Sequence, residues 1–187
     1  MNKKQLRLEF KNRRNNLSLE QINNYSLEIA NLIITLPIWK YSYYHIFLSI
    51  KSLKEINTEP LLAILLGKDK NIIVSKTNFE TRKMTHVLLQ DNTVLKLNSR
   101  NIPEPENGIE ISSNKIEVVF VPLVAFDRIG NRVGYGKGFY DAFLKNCPRT
   151  TLKIGLSFFE AQGSLIESET HDIPLDYCIT PNKIYTF

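Results

Sequence analysis

The stretch from Ile116 to Asp141 constrains this chain more than any other. Ile116-Glu117-Val118-Val119-Phe120-Val121 has the β-branched and aromatic character of a core strand, and Pro122 stops it. Gly134, Gly136 and Gly138 then alternate directly before a helical pattern running from about Gly138 to Asn146. Alternating glycines let backbone approach a ligand without interference from Cβ. The helix N-terminus behind them aims its N–H groups at the same place. A helix end contributes only about 0.3–1 kcal/mol at an exposed site. Holding a polyphosphate therefore needs cations, and Arg132 and Lys137 stand where they can supply them. Asp141, one turn into the helix, is placed to hold a divalent metal against phosphate oxygens. The string is neither a Walker A loop nor a dinucleotide G-x-G-x-x-G fingerprint. Its glycines alone favour a tight strand-to-helix connection with a solvated lysine.

The remaining pattern predicts the layers around this turn. The first segment suits a helix with Leu6, Phe10 and Leu17 on one side and Lys4, Arg7, Lys11 and Arg14 on another. Ser18 reads as an N-cap, with Gln21 completing a capping box, before a helix whose apolar face is Ile22, Ile29 and Ile33. Pro37 ends it. Tyr43 to Leu48 predicts a buried strand. Thr58 predicts the cap of a helix over Glu59 to Leu66, with Gly67 as its stop. Asn71–Ser75, Met84–Leu89, Leu152–Leu156 and Tyr177–Thr180 predict further strands, and Asn98–Asn114 a surface loop. Alternating strands and helices predict an α/β fold: a single three-layer domain over residues 1–187, with a mostly parallel, Rossmann-like sheet and helices on both faces.

Composition narrows the partners. Apolar residues make up 43% of the 187 and charged residues 23%, which excludes a disordered chain. The longest apolar run, Leu61 to Leu66, is too short to span a bilayer, and no apolar signal-peptide stretch follows the basic start. Cys147 and Cys178 have no metal or redox spacing and read as reduced thiols of a cytoplasmic protein. The net charge of +5 is local. Residues 1–14 hold six basic side chains and one acid, and the remaining 18 basic and 18 acidic side chains cancel. A neutral body argues against nucleic acid as a partner, which calls for a basic patch on the folded surface. The basic start instead poses the question of which anion it meets.

The full string answers it. Pro122, Ala125, Phe126, Asp127, Gly130, Arg132, Gly134, Gly136, Gly138, Phe139, Tyr140 and Asp141 stand in the register P-x-x-A-F-D-x-x-G-x-R-x-G-x-G-x-G-[YF]-Y-D. This resembles the signature of the 5-formyltetrahydrofolate cyclo-ligase, or methenyltetrahydrofolate synthetase, family. Lys3-Lys4-Gln5-Leu6-Arg7, Phe47-Leu48-Ser49, Glu55-Ile56-Asn57-Thr58, Ile102-Pro103-Glu104-Pro105 and His171-Asp172-Ile173-Pro174-Leu175-Asp176 extend the resemblance along the chain. Phe139 stands where many members have Tyr, and Leu123 replaces a common Gly.

The resemblance implies an enzyme that converts 5-formyltetrahydrofolate to 5,10-methenyltetrahydrofolate with ATP and Mg²⁺. It implies that Lys3, Lys4 and Arg7 contact ATP together with the loop Arg132, Val133, Gly134, Tyr135, Gly136, Lys137, Gly138, Phe139 and Tyr140. Lys137 and Arg132 are the expected catalytic cations. Leu48, Glu55 and Tyr135 to Phe139 are expected to border the folate, Leu48 by packing and Glu55 by accepting hydrogen bonds from the pterin. Asp141 and Asp172 are the expected Mg²⁺ carboxylates, with Asp176 either a further ligand or a turn cap. The expected partner is a small folate, polyglutamylated or not, bound by a monomer. The alternative is a folate- or nucleotide-binding module of the same fold without turnover.

Overall fold

The computed structural model describes residues 2–187. In chain order its elements are α1 (Lys3–Asn15), α2 (Leu19–Ile34), β1 (Tyr43–His45), α3 (Glu59–Gly67), β2 (Asn71–Asn78), β3 (Lys83–Leu88), β4 (Leu95–Leu97), β5 (Pro103–Pro105), β6 (Val118–Pro122), β7 (Ala125–Phe126), β8 (Arg132–Val133), α4 (Phe139–Lys145), β9 (Leu152–Leu156), β10 (Tyr177–Ile179) and β11 (Ile184–Thr186). Seven strands form one sheet in the order β11-β10-β9-β6-β1-β2-β3. Its five inner strands are parallel, and β3 and β11 pair antiparallel at the two edges. The mixed α/β fold with a mostly parallel central sheet is the one the pattern predicted.

Alternation along the strands divides the core. Tyr44, Ile72, Val74, Val118, Phe120 and Ile154 pack with Ile22, Ile29 and Ile33 of α2 and Leu61 and Leu65 of α3. On the opposite face, Ile73, Val119, Val121 and Cys178 pack with Phe143 and Leu144 of α4. A third cluster lies outside the sheet. Leu6 and Phe10 of α1 cover Val124, Ala125 and Val133 of the small β7–β8 hairpin. This docking sets α1 beside the glycine turn.

Four local expectations need correction. The strand predicted over Tyr43–Leu48 ends at His45, and Ile46 donates the last ladder bond, to Ile73 O. Phe47 remains buried without pairing, and the chain turns away from the sheet. Gly67 does not stop α3: it is the last helical residue, Lys68 is the cap, and Asp69 takes the left-handed φ of 58°. The Thr58 side chain makes no cap bond, because its hydroxyl is paired with Ser49 Oγ at 3.1 Å. The segment read as a surface loop holds β5, paired with β4, and its Glu104 carboxylate is buried, accepting from Thr77 N at 2.7 Å.

Candidate active site

Strand order reverses between β1 and β6. The chain runs β1-β2-β3 to one side and β6-β9-β10-β11 to the other. Loops leaving the C-terminal ends of two such strands diverge and leave a crevice. The loops after β1 and β6 do so here. They enclose, with the β2–β3 hairpin, a cleft of ≈ 550 Å³.

The floor of the cleft is built around Glu55, only 7% exposed. Its carboxylate accepts from Ile50 N at 2.8 Å and from the Tyr135 hydroxyl. Burial raises the Glu55 pKa, opposed by Tyr135, the Ile50 amide and the Arg14 charge. Burial and the Glu55 charge likewise push the Tyr135 and Tyr140 hydroxyls up, so both remain neutral donors. Leu48 is partly buried, packs on the core and also lines the cleft.

The rim is charged. Lys3, Arg7 and Lys11 recur every fourth residue on α1, so they share one helix face, and all three line the cleft. Arg7 Nε donates to Gly134 O at 2.9 Å. Its guanidinium lies against Gly136, where φ is +87° and a Cβ would come within 3.1 Å of Arg7 Cζ. Glycine is required there for both reasons. Lys3 Nζ meets Asp172 Oδ2 at 2.5 Å and Glu169 Oε1 at 3.2 Å. Arg132 Nη2 meets Asp141 Oδ1 at 2.6 Å, and its Nη1 donates to Ile173 O. Ile173 N also donates to Asp141 Oδ1, which brings the Asp141 carboxylate beside the residue that follows Asp172. Lys137 is exposed, lines the cleft and has no hydrogen-bond or ion-pair partner among the described residues.

The turn that presents Arg132 is shaped by Asp127, which is fully buried. Its carboxylate accepts from Ile129 N, Asn131 N, Asn131 Nδ2 and Ile166 N, at 2.8–3.0 Å. The helix behind the turn is shorter than expected, Phe139–Lys145, so anion affinity falls to the side-chain cations.

The cleft thus gathers Lys3, Arg7, Leu48, Glu55, Arg132, Gly134 to Tyr140, Asp141 and Asp172. Lys4 is exposed and does not line it, and Val133 is buried under α1. Asp176 is engaged elsewhere, paired with Lys153 Nζ at 2.7 Å and accepting from Lys153 N. His45 and His86 are buried beneath the cleft against Phe143, and His171 is exposed near Glu169. Sequence reasoning did not assign Lys11, Phe79, Arg100 or Glu169 to the site. For Lys11 the fourfold spacing from Lys3 and Arg7 was the available signal. Arg100 stacks 3.8 Å over Phe79, which meets Phe139 edge-on at 5.4 Å, a contact between three distant segments that no local pattern announces.

The site of this α/β protein is thus a crevice in which cations converge on a glycine turn beside carboxylates, with a buried acceptor deeper in the same cleft. A family model described as the 5-formyltetrahydrofolate cyclo-ligase family matches residues 1–181. The mouse 5-formyltetrahydrofolate cyclo-ligase is 30% identical over 186 residues, covering 93% of this chain and 91% of that protein. The Escherichia coli K12 protein of the same name is 28% identical over 178 residues, covering 92% and 97%. The NMR structure of Aquifex aeolicus 5,10-methenyltetrahydrofolate synthetase superposes with a TM-score of 0.85 at 29% identity, covering 100% and 93%. The chain belongs to the 5-formyltetrahydrofolate cyclo-ligase family and is a ligase.

The donor set bears on the Mg²⁺ expected from the sequence. Among the described residues no three or more His, Cys, Asp or Glu side chains form a metal cage. Asp141 and Asp172 alone suit Mg²⁺, which binds one or two carboxylates and takes its remaining oxygens from phosphates and water. No helix among the described residues is long and apolar enough to cross a membrane.

Proposed function

We propose that the chain carries out the ATP- and Mg²⁺-dependent cyclisation of 5-formyltetrahydrofolate to 5,10-methenyltetrahydrofolate, releasing ADP and phosphate. The observation that carries this reading is the presence in one cleft of a buried carboxylate, Glu55, and of a lysine on the glycine turn, Lys137, that has no hydrogen-bond or ion-pair partner among the described residues.

The chemistry sets the requirement. The formyl group on N5 is an amide, with resonance of the kind that gives a peptide bond a barrier of about 18–20 kcal/mol to rotation. Its carbon is a poor electrophile and its oxygen a poor leaving group. The formyl oxygen attacks the γ-phosphorus of ATP, the bond to the bridging oxygen breaks, and ADP departs. The N10 lone pair then forms a bond to the formyl carbon, the carbon–oxygen bond breaks, and phosphate leaves with the oxygen while N10 gives up its proton. Lys137 and Arg132 stabilise charge on the transferred phosphoryl group. Lys3, Arg7 and the Gly134–Gly138 turn hold the triphosphate. Asp141 and Asp172 would hold Mg²⁺, which neutralises phosphate charge when bound. Glu55 accepts from pterin N–H groups, and Leu48 and Phe139 pack on the folate.

In this reading the ion pairs Lys3–Asp172 and Arg132–Asp141 exchange partners when nucleotide and metal enter together: cations to phosphate, carboxylates to metal. The test is purified protein with 5-formyltetrahydrofolate, ATP and Mg²⁺, followed by the absorbance of the methenyl product. Turnover that needs all three supports the proposal. Folate binding without turnover would replace it with a binding module.

A further inference from the structure

Arg14 stands out as a cation that does not reach the charged rim. It sits in the last turn of α1, yet only 7% of it is exposed, and its Nε has no partner among the described residues. A buried guanidinium is retained only where something compensates its charge. The compensating groups are in the floor of the cleft. The guanidinium carbon lies 5.4 Å from the centre of the Tyr135 ring, whose hydroxyl donates to Glu55. Arg14, Tyr135 and Glu55 line one small cavity of ≈ 20 Å³ together with Phe10 and Phe47.

The backbone locks this arrangement. Lys54 Nζ donates to Asn15 O and Leu17 O, both at 2.7 Å, which clamps the end of α1 to the loop that carries Glu55. Lys54 itself is thereby directed at carbonyls rather than at its neighbour's carboxylate. The groups that face Glu55 are Arg14 from α1, Tyr135 from the glycine turn, Tyr140 from α4 and the Ile50 amide from its own loop. Arg14 is the one cation in that set.

We propose that Arg14 is a positioning residue: through Tyr135 it keeps the Glu55 carboxylate oriented and ionised for the pterin, so that one helix serves both ends of the site. This deepens the proposed function and rests on it. Burial alone favours the neutral Glu55, and a carboxylic acid presents one acceptor fewer to the pterin N–H groups. Losing Arg14 therefore weakens folate binding and moves its pH dependence while leaving the nucleotide end alone.

The experiment measures folate affinity by fluorescence, and KM and kcat for folate and ATP, from pH 5 to 8. It uses the intact protein, Arg14→Met, Arg14→Gln and Arg14→Lys. The two neutral variants are expected to shift the acid midpoint of folate affinity upward by about one pH unit, which is about tenfold in affinity below both midpoints. KM for ATP is expected to stay within twofold, and Arg14→Lys to keep the original midpoint. If Met disrupts the fold, Gln carries the comparison, since it keeps polar atoms in the site. In a Glu55→Gln background, Arg14→Gln is expected to move the midpoint no further. An unchanged midpoint in the folded neutral variants, or equal losses for folate and ATP, overturns the role of Arg14 while the proposed function stands. A parent protein that neither binds nor converts the folate overturns both.

Discussion

The two ends of the cleft hold their charges in opposite ways. At the rim, Lys3 with Asp172 and Arg132 with Asp141 form direct, partly buried ion pairs, with side chains 17% and 22% exposed in the first and 6% and 24% in the second. At the floor, Glu55 is buried and bonded to a hydroxyl and an amide, with its cation one residue removed. Each rim pair leaves a cation and a carboxylate lining the cleft, where a charged ligand can take the place of either partner. A buried carboxylate with two donors keeps its place. The rim is suited to exchanging partners with a charged ligand, and the floor to recognising a neutral ring by shape and hydrogen-bond pattern.

The largest expected effect comes from Lys137, a rim cation with no hydrogen-bond or ion-pair partner among the described residues. Lys137→Ala is expected to lower kcat by about 10²–10³-fold, the range for removing one preorganised electrostatic group at a transferring centre. Its unfolding free energy is expected to change by less than about 0.5 kcal/mol, as for an exposed side chain. A loss confined to KM for ATP would make Lys137 a binding residue and place catalysis on Arg132.

Glu55→Gln probes the floor. Hydrogen bonds to a charged group contribute about 1.5–3 kcal/mol, so KM for the folate is expected to rise about 10- to 100-fold with KM for ATP unchanged. An effect of similar size on ATP would mean that rim and floor are one unit. Asp172→Asn probes the rim in return. Nucleotide affinity in the presence of Mg²⁺ is expected to fall about tenfold, folate affinity to hold, and stability to change by about 1 kcal/mol or less. Calorimetric titration with each ligand separates these outcomes.

The contrast also marks what the sequence made legible. The capping box at α2 is local chemistry: Ser18 Oγ accepts from Gln21 N at 3.1 Å and Gln21 Oε1 from Ser18 N at 2.9 Å, and both were readable from spacing. The central strands were equally readable, since burial on both faces leaves a continuous apolar run. The end of β1 was not, because Ile46 donates the last ladder bond and Phe47 is buried without pairing, and composition does not separate packing from pairing. The β7–β8 hairpin has two residues per strand and depends on Asp127 reaching Ile166. Arg14 was grouped with Lys4, Arg7 and Lys11 on the basic side of α1, where the spacing places it. It is buried beside Tyr135 and Glu55, which arrive from other parts of the chain. Arg132, Lys137 and Asp141 were named from spacing and Lys3, Arg7, Leu48, Glu55, Tyr135 and Asp172 through resemblance, whereas the packing of Arg14 beside Tyr135 and Glu55 emerges only from tertiary contact.

The smallest expected effect is the gentlest way to separate the two ends. Burial first, against its hydrogen bonds, raises Glu55 above its usual 4.5, so recognition through the ionised carboxylate is lost as pH falls through that raised value. Asp172 behaves oppositely: burial alone would raise it, but the Glu169 amide and Lys3 bring it below its usual 3.8. Lys3, which burial alone would lower, is held above 10.5 by Asp172 and Glu169. The stability contributed by Asp172 is present above pH 3.8 and lost as pH falls through its folded value. That contributed by Lys3 is present below pH 10.5 and lost as pH rises through its folded value. Acidifying from neutrality is therefore expected to weaken folate binding several-fold while nucleotide binding barely moves. His86, which burial lowers to about 4, has the further effect that stability declines from pH 6.5 downward, because the unfolded chain takes up its proton first. Binding is accordingly read against the folded fraction measured in the same samples. Parallel loss of both ligands across that range would show that rim and floor do not titrate separately.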